Sequence, residues 1–417
     1  MELARGVCGL LVFVGLAWLL SEQRRPDNLR PVAMAVIYQF AFAVALTHVP
    51  AITTCLGAIA HGVDAIQGSA ADGARFVFGY LAGGPQPYAA AQGSASSFIF
   101  AFQALPAILL VSGLSALLWH WRILQLAVRG CAWVFGRLFG VSGPVGVSTS
   151  ACIFLGMVEA PLLVRPLLPR LSRGDLFIIM VDGMSVVAGS TMILLASVIS
   201  PRMPDAFVHL LTASLVSTPM AIAMARVMVP SPADGLRAPL ELSSPYRSSL
   251  DALTSGTISA IHMAANVAAL LIVFVGVVGL VNRGLANFDV GGAPLSLGMA
   301  LGWLFSPVAW LMGVPAGDYA TVGSLLGTKV TTNEVVAFGQ FAALPAGTLS
   351  SKGALVVTYA LASFGNLGSV AILIGMLTAV IPDKADEIIR LGPRALAAAF
   401  LTSCMTGTVI GLLDTLL

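Results

Sequence analysis

Apolar residues cluster into runs of helical length near residues 7–20, 31–53, 98–119, 174–199, 206–229, 257–282, 351–381 and 391–416. A bilayer core about 30 Å thick asks for roughly 20 apolar residues per helix, so the pattern predicts about eight transmembrane helices. The apolar/polar alternation of a membrane barrel is absent, and a helical bundle satisfies every backbone group internally. Two further stretches, 141–170 and 314–345, are apolar but broken by Pro, Gly and charge: GPVGVSTSACIFLGMVEAPLLVRPLLP and VPAGDYATVGSLLGTKVTTNEVVAFGQFAALP. Each has room for two half-length helices and is too polar at its middle for one span, so each reads as a re-entrant hairpin whose tip is buried in protein.

Composition strengthens that reading. The 417 residues are 58% hydrophobic and 10% charged, against about 25% charged in soluble domains, and the mean hydropathy is +0.93. Arg24, Arg25 and Arg30 follow the first run and Arg122, Arg129 and Arg137 the third, whereas residues 54–97 hold only Arg75 with Asp64 and Asp72. The positive-inside bias then puts the ends of spans one and three in the cytoplasm and 54–97 outside. Glu2 and the lack of a small-residue cleavage site argue that the first run is a retained helix, not a signal peptide. Residues 230–256, rich in Pro and Ser, read as a polar linker between two halves. The five cysteines are scattered, without metal or disulfide spacing, and no basic run suggests nucleic acid.

The halves share an order. A broken, Gly-rich segment with a glutamate (Glu159, Glu334) precedes a helix interrupted by Gly-Ser (Gly189-Ser190, Gly368-Ser369), 30 residues beyond the first glutamate and 34 beyond the second. Broken helices at matching positions of two halves point to a transporter's midplane site, although Gly and Ser also recur wherever membrane helices pack closely. Charge at the bilayer centre costs at least about 2.5–3.5 kcal/mol on insertion scales, which singles out Glu159, Asp182 and Glu334 as functional candidates. Asn366 and Ser369, three apart in FGNLGSVAI, are expected on one face of an otherwise apolar helix. With Glu334 they offer an acceptor, an amide and a hydroxyl, a set that a sugar would satisfy. GSLLGTK lacks the phosphate-loop spacing, and no nucleophile–base grouping stands out.

In WLLSEQRR, FVFGYLAGG, FAFQALPAILL, FLGMVEAPLLVRPLLP, VVAGS, LFSPVAWLMGVP, LLGTKVTTNEVVAF, FGNLGSVAILIG and IIRLGPRAL the chain resembles the concentrative nucleoside transporters along nearly its whole length. The resemblance implies an all-α integral membrane protein of about eight transmembrane helices and two re-entrant hairpins in inverted repeats. It also implies a homotrimer in which a core moves as an elevator, driven by a cation gradient. The expected organisation is scaffold helices over 1–119 with an external interfacial segment, a first transport repeat over 120–229, the linker 230–256, a scaffold helix over 257–282 and a second repeat over 283–417. Glu159 matches the glutamate facing the nucleobase, Glu334 the second hairpin's Asn-Glu motif, and Asn366 and Ser369 the ribose-facing pair, with Phe364 close by.

The departures carry as much information. Where the family's first hairpin has Gln and Thr before Glu-Ala-Pro, this chain has Met157 and Val158, so base preference is open. Where sodium-coupled members carry an asparagine ligand the chain has Cys152, and the hydroxyl-ligand position is Val186 with Ser185 beside it. A thiol is a poor ligand for sodium. Asp182 stands where the family has a small residue, and coupling to H+ through Asp182 or Glu159 is expected over Na+. The reading is a nucleoside symporter of a bacterial inner membrane, with no cofactor and not an enzyme. Its alternatives are a same-fold carrier for another ribosyl or polar solute, or an intramembrane enzyme or binding protein using the buried carboxylates.

Overall fold

The computed structural model describes residues 2–24, 29–87, 98–203, 205–231, 244–290 and 292–416. The chain opens with α1 (Glu2–Leu19) and α2 (Arg30–His48). The second predicted span ends at His48 instead of residue 53, because Val49 is extended and Pro50 starts a new helix, α3 (Pro50–Phe78). Pro at the first helical position gives up no hydrogen bond and fixes the turn. Part of the expected external segment, residues 54–78, is thus helical; its residues 88–97 lie outside the described residues.

A short α4 (Phe100–Gln103) and α5 (Pro106–His120) form the third span. Then α6 (Ile123–Phe139) packs on the first hairpin, α7 (Gly143–Leu155) with the single turn α8 (Glu159–Leu162). The span predicted over 174–199 is two helices, α9 (Arg173–Ser185) and α10 (Gly189–Ile199), followed by α11 (Ala206–Met228). Next comes α12 (Ser249–Leu285), which begins earlier than predicted because Ser248 caps it, its hydroxyl accepting from the Asp251 amide at 3.2 Å. It absorbs the end of the expected linker, whose residues 232–243 lie outside the described residues.

A two-residue antiparallel ribbon, β1 (Asp289–Val290) with β2 (Ala293–Pro294), leads to the second half. There α13 (Leu297–Leu311) packs on the second hairpin, α14 (Tyr319–Thr331) and α15 (Glu334–Ala343). The span predicted over 351–381 is again a pair, α16 (Ser351–Leu361) and α17 (Leu367–Val380), and α18 (Ala385–Leu416) closes the chain. The order of helix, hairpin, broken helix and long helix therefore occurs twice, α6–α11 and α13–α18. Among the described residues, Phe100–His120, Arg173–Ile199, Ala206–Met228, Ser249–Leu285 and Pro382–Leu416 are each long and apolar enough to cross a membrane; α1, α2 and α17 contain shorter apolar pieces.

Small residues set the close approaches. A Cβ on Gly323 would lie 2.6 Å from the Gly302 carbonyl oxygen, so α13 and α14 touch backbone to backbone, and a Cβ on Gly256 would lie 2.7 Å from the Ser112 carbonyl oxygen, which seats α12 on α5. The buried core lies elsewhere, among α9, α11, α18 and the hairpins. Gln39 of α2 is tied into it, its amide donating to the Val216 carbonyl at 3.0 Å and the Thr406 hydroxyl at 3.1 Å. On the side where α1 ends, Glu22 accepts from Arg173 at 2.8 Å and from Arg394, while Arg173 also reaches Glu387 at 3.2 Å. The Arg173 guanidinium holds the Glu22 carboxyl below its ordinary range against the opposing effect of burial, with Arg394 adding to the depression.

Candidate functional site

The site assembles where two hairpin tips meet two helix breaks. At the first tip α7 stops at Gly156, whose φ of +103° suits glycine; a Cβ there would also lie 3.0 Å from Ala188 at the α9–α10 break. The chain re-enters helix at Glu159, with the Ala160 amide donating to the Gly156 carbonyl at 3.1 Å. Met157 is buried, its Cβ 3.1 Å from where a Cβ on Gly183 of α9 would stand, and Val158 is half-buried against the core. The tip thus presents apolar side chains before Glu159. The Glu159 side chain is exposed into a cavity of about 590 Å³ shared with Arg165, Ser190, Trp119 and Tyr246 and walled by α5 and α12.

The second tip is built of polar groups and closed. After α14 the Thr332 hydroxyl folds back to donate to the Thr328 carbonyl at 2.6 Å, and Asn333 caps α15 by accepting from the Val336 amide at 2.9 Å. Glu334 is the first residue of α15, at its positive end. Its carboxylate accepts a 2.9 Å hydrogen bond from the Asn366 side-chain amide. Asn366 does not share a helix face with Ser369 as the spacing suggested. It lies in the break and caps α17, its Oδ1 accepting from the Ser369 amide at 2.8 Å. Two capped helix N-termini therefore converge on one buried carboxylate. Glu334, Asn366 and Ser369 are all buried, and Phe364 sits half-buried in the same break.

The ion-coupling candidates gather beside the first tip. Asp182 of α9 is fully buried, and neither carboxylate oxygen has a hydrogen-bond partner; the Thr218 hydroxyl alongside donates instead to the Ser214 carbonyl at 3.2 Å. Ionised, such a group needs a counter-ion, because unpaired buried charge is expensive. The Ser185 hydroxyl is engaged within its own helix, donating to the Val181 carbonyl at 2.7 Å. Cys152 is buried on α7, its sulfur 3.9 Å from where a Cβ on Gly183 would stand, and Val186 is buried in the break.

Two features of the breaks, Ser214 and Lys329, were missed in the sequence, as was the place of Arg165 beside Glu159. Ser214 clasps the α9–α10 break, accepting from the Val187 amide at 3.2 Å and donating to the Val187 carbonyl at 3.3 Å. Lys329, not singled out in the sequence, is wholly buried and bonded at the α16–α17 break. Ser190 and Arg165 join Glu159 around the cavity. The signal for Lys329 was its charge inside LLGTKV; its partners lie 31 to 74 positions away, beyond any local pattern.

Comparison with known proteins gives a consistent result. Three family models match: the Na+ dependent nucleoside transporter N-terminus over residues 8–81, nucleoside recognition over 101–202, and the Na+ dependent nucleoside transporter C-terminus over 209–411. Over 99% of its length the chain is 34% identical to the putative nucleoside permease NupX of Escherichia coli, 99% of which is covered. Over 97% it is 31% identical to the nucleoside permease NupC of Helicobacter pylori, 96% covered. A solved structure of CNTnw in an inward-facing substrate-bound state is similar with a TM-score of 0.89 and 31% identity over 99% of both chains. These are transporters, not enzymes.

Proposed function

The chain belongs to the family of concentrative nucleoside transporters, and from that premise we propose that it takes up nucleosides across a bacterial inner membrane by proton symport. The observation that carries the reading is the 2.9 Å bond from Asn366 to Glu334. It joins a hairpin tip to a helix break through groups that can exchange one another for sugar hydroxyls. On binding, the Glu334 carboxylate accepts from a ribose hydroxyl and the Asn366 amide turns to the same sugar, with Ser369 at the helix start and Phe364 as the wall. Glu159 meets the base, flanked by Met157 and Val158.

Asp182 is the coupling group. Its carboxylate oxygens accept no hydrogen bond, so a proton arriving there removes the charge that would oppose movement through the membrane. Cys152 and the self-bonded Ser185 offer sodium a weak ligand set, which favours the proton. Movement is of the elevator type, with α5 and α12 as the frame. The bonds of Gln39 and Glu22 to α9, α11 and α18 support a travelling unit that includes α1 and α2, in place of a scaffold spanning residues 1–119. The homotrimer belongs to this reading, and the exposed Ile272, Val273, Val275 and Val277 of α12 give it an apolar outer face.

The test is uptake of labelled uridine, adenosine and inosine into proteoliposomes. An imposed proton gradient alone is expected to drive accumulation; robust accumulation from a sodium gradient without a proton gradient would overturn the coupling. A second reading, a same-fold carrier for another ribosyl solute, is favoured by Met157 and Val158. It predicts that ribosylated compounds lacking a normal base compete as well as nucleosides do.

A further inference from the structure

Lys329 is a charged group beside the second tip that this mechanism does not use. Its side chain is wholly buried on α14, two residues before the tip begins, and its ammonium donates to three oxygens: the Ala360 carbonyl at 2.6 Å, the Ser363 hydroxyl at 2.6 Å and the Ser403 hydroxyl at 3.2 Å. The two hydroxyls also bond each other at 2.8 Å, and Ser403 donates in turn to the Ala399 carbonyl at 2.9 Å. A helix C-terminal carbonyl with two hydroxyls is the kind of oxygen shell that binds a monovalent cation. Here the shell is filled by a cation the chain supplies.

The position of that shell gives it a purpose. Ala360 lies in the last turn of α16, where carbonyls without amide partners carry partial negative charge. Ser363 lies in the break itself, and three residues later Asn366 begins α17 and holds Glu334. The ammonium thus ties the hairpin helix α14, which leads to Glu334, to the break that presents Asn366, and anchors both to α18. Without it, the last carbonyls of α16 and the break hydroxyls would face one another in a dry core, and the direct bond from Asn366 to Glu334 would join tip and break without this second tie.

We propose that Lys329 is a tethered cation that sets the geometry of the α16–α17 break and thereby positions Asn366 and Glu334 for the sugar. It is a positioning residue and does not touch substrate. Because the second break already holds a bound charge, it has no room for a coupling ion, which leaves coupling to the first half. The inference rests on the nucleoside reading for its transport consequence, but not for its structural one.

The experiment uses the full-length protein with Lys329→Met, which keeps length and apolar bulk while removing the charge. Hydrogen exchange of the amides of residues 362–367, without substrate, is expected to accelerate at least about tenfold as the break loosens. In proteoliposomes the half-saturating uridine concentration is expected to rise about tenfold, with maximal uptake changing less, as lost positioning of a ground-state contact requires. Exchange at 362–367 unchanged in Lys329→Met overturns the inference whether or not uridine is the substrate. Unaltered half-saturation overturns it where the wild type transports uridine. Absence of uridine uptake by the wild type counts against the nucleoside reading alone. If Lys329→Met does not fold, Ser363→Ala and Ser403→Ala each remove one acceptor; a several-fold rise in exchange at the break is expected for each, and no change in either is the opposing result.

Discussion

The two broken helices are built to the same plan and held in opposite ways. The α9–α10 break is clasped by a neutral hydroxyl, Ser214, and beside it Asp182 lies without a partner and Glu159 opens to a cavity. The α16–α17 break is clasped by an ammonium, and its carboxylate, Glu334, is buried and bonded. One half leaves a buried carboxylate, Asp182, without a hydrogen bond, while the other holds its carboxylate internally through Asn366. On the proposed function the contrast separates two tasks: a group that is to gain and lose a proton needs a vacancy in its bonding, whereas a group that is to recognise a fixed pattern of hydroxyls needs a rigid mount.

Removing the vacancy is expected to have the largest effect. Asp182→Asn should abolish proton-driven accumulation while leaving exchange of labelled for unlabelled nucleoside across the membrane; retained accumulation would end the assignment of coupling to the first half. Next comes the rigid mount. Glu334→Gln removes a charged acceptor worth about 1.5–3 kcal/mol, so transport efficiency should fall about 10- to 100-fold. A smaller loss would mean that the second tip does not read the sugar.

The tips themselves can be made more alike. Met157→Gln with Val158→Thr returns hydrogen-bonding groups to the first tip and should change the ranking of nucleobases in competition assays by about 1–3 kcal/mol, while leaving the preference for ribose intact. Ser214→Ala tests the neutral clasp: it strands the buried Val187 amide and should lower stability by about 1–3 kcal/mol, read as an earlier thermal unfolding in detergent.

The smallest effect is expected at the Glu22 cluster, whose partners are partly exposed. Glu22 is held below its ordinary value of 4.5, so its contribution is complete at pH above that value and is lost as pH falls through the depressed one. Glu22→Gln should therefore lower the melting temperature slightly at neutral pH, by less than about 1 kcal/mol in stability, and the difference from wild type should vanish in acid.

Much of this arrangement was legible in the chain. Charge in an apolar run exposed Glu159, Asp182 and Glu334, and paired interruptions at Gly189-Ser190 and Gly368-Ser369 exposed the breaks. The role of Asn366 was misread because a spacing of three fits both a shared helix face and a cap reaching its third residue; only the backbone, extended at φ −141°, decides between them. The helix over residues 50–78 was missed because Asp64, Gln67 and Asp72 lower its hydropathy without disturbing its helical period. Asp182 announced itself as a charge, but its lack of a hydrogen bond depends on Thr218 alongside, whose hydroxyl turns back to its own helix.

The length of α12 has a consequence for the membrane around the protein. Its 37 residues extend about 55 Å at 1.5 Å per residue, well beyond a hydrocarbon layer of about 30 Å. Such a helix must lean, project into the headgroups, or thicken the lipid beside it. If α12 is part of the proposed frame, acyl-chain length sets the tilt of the surface along which the rest of the molecule would slide.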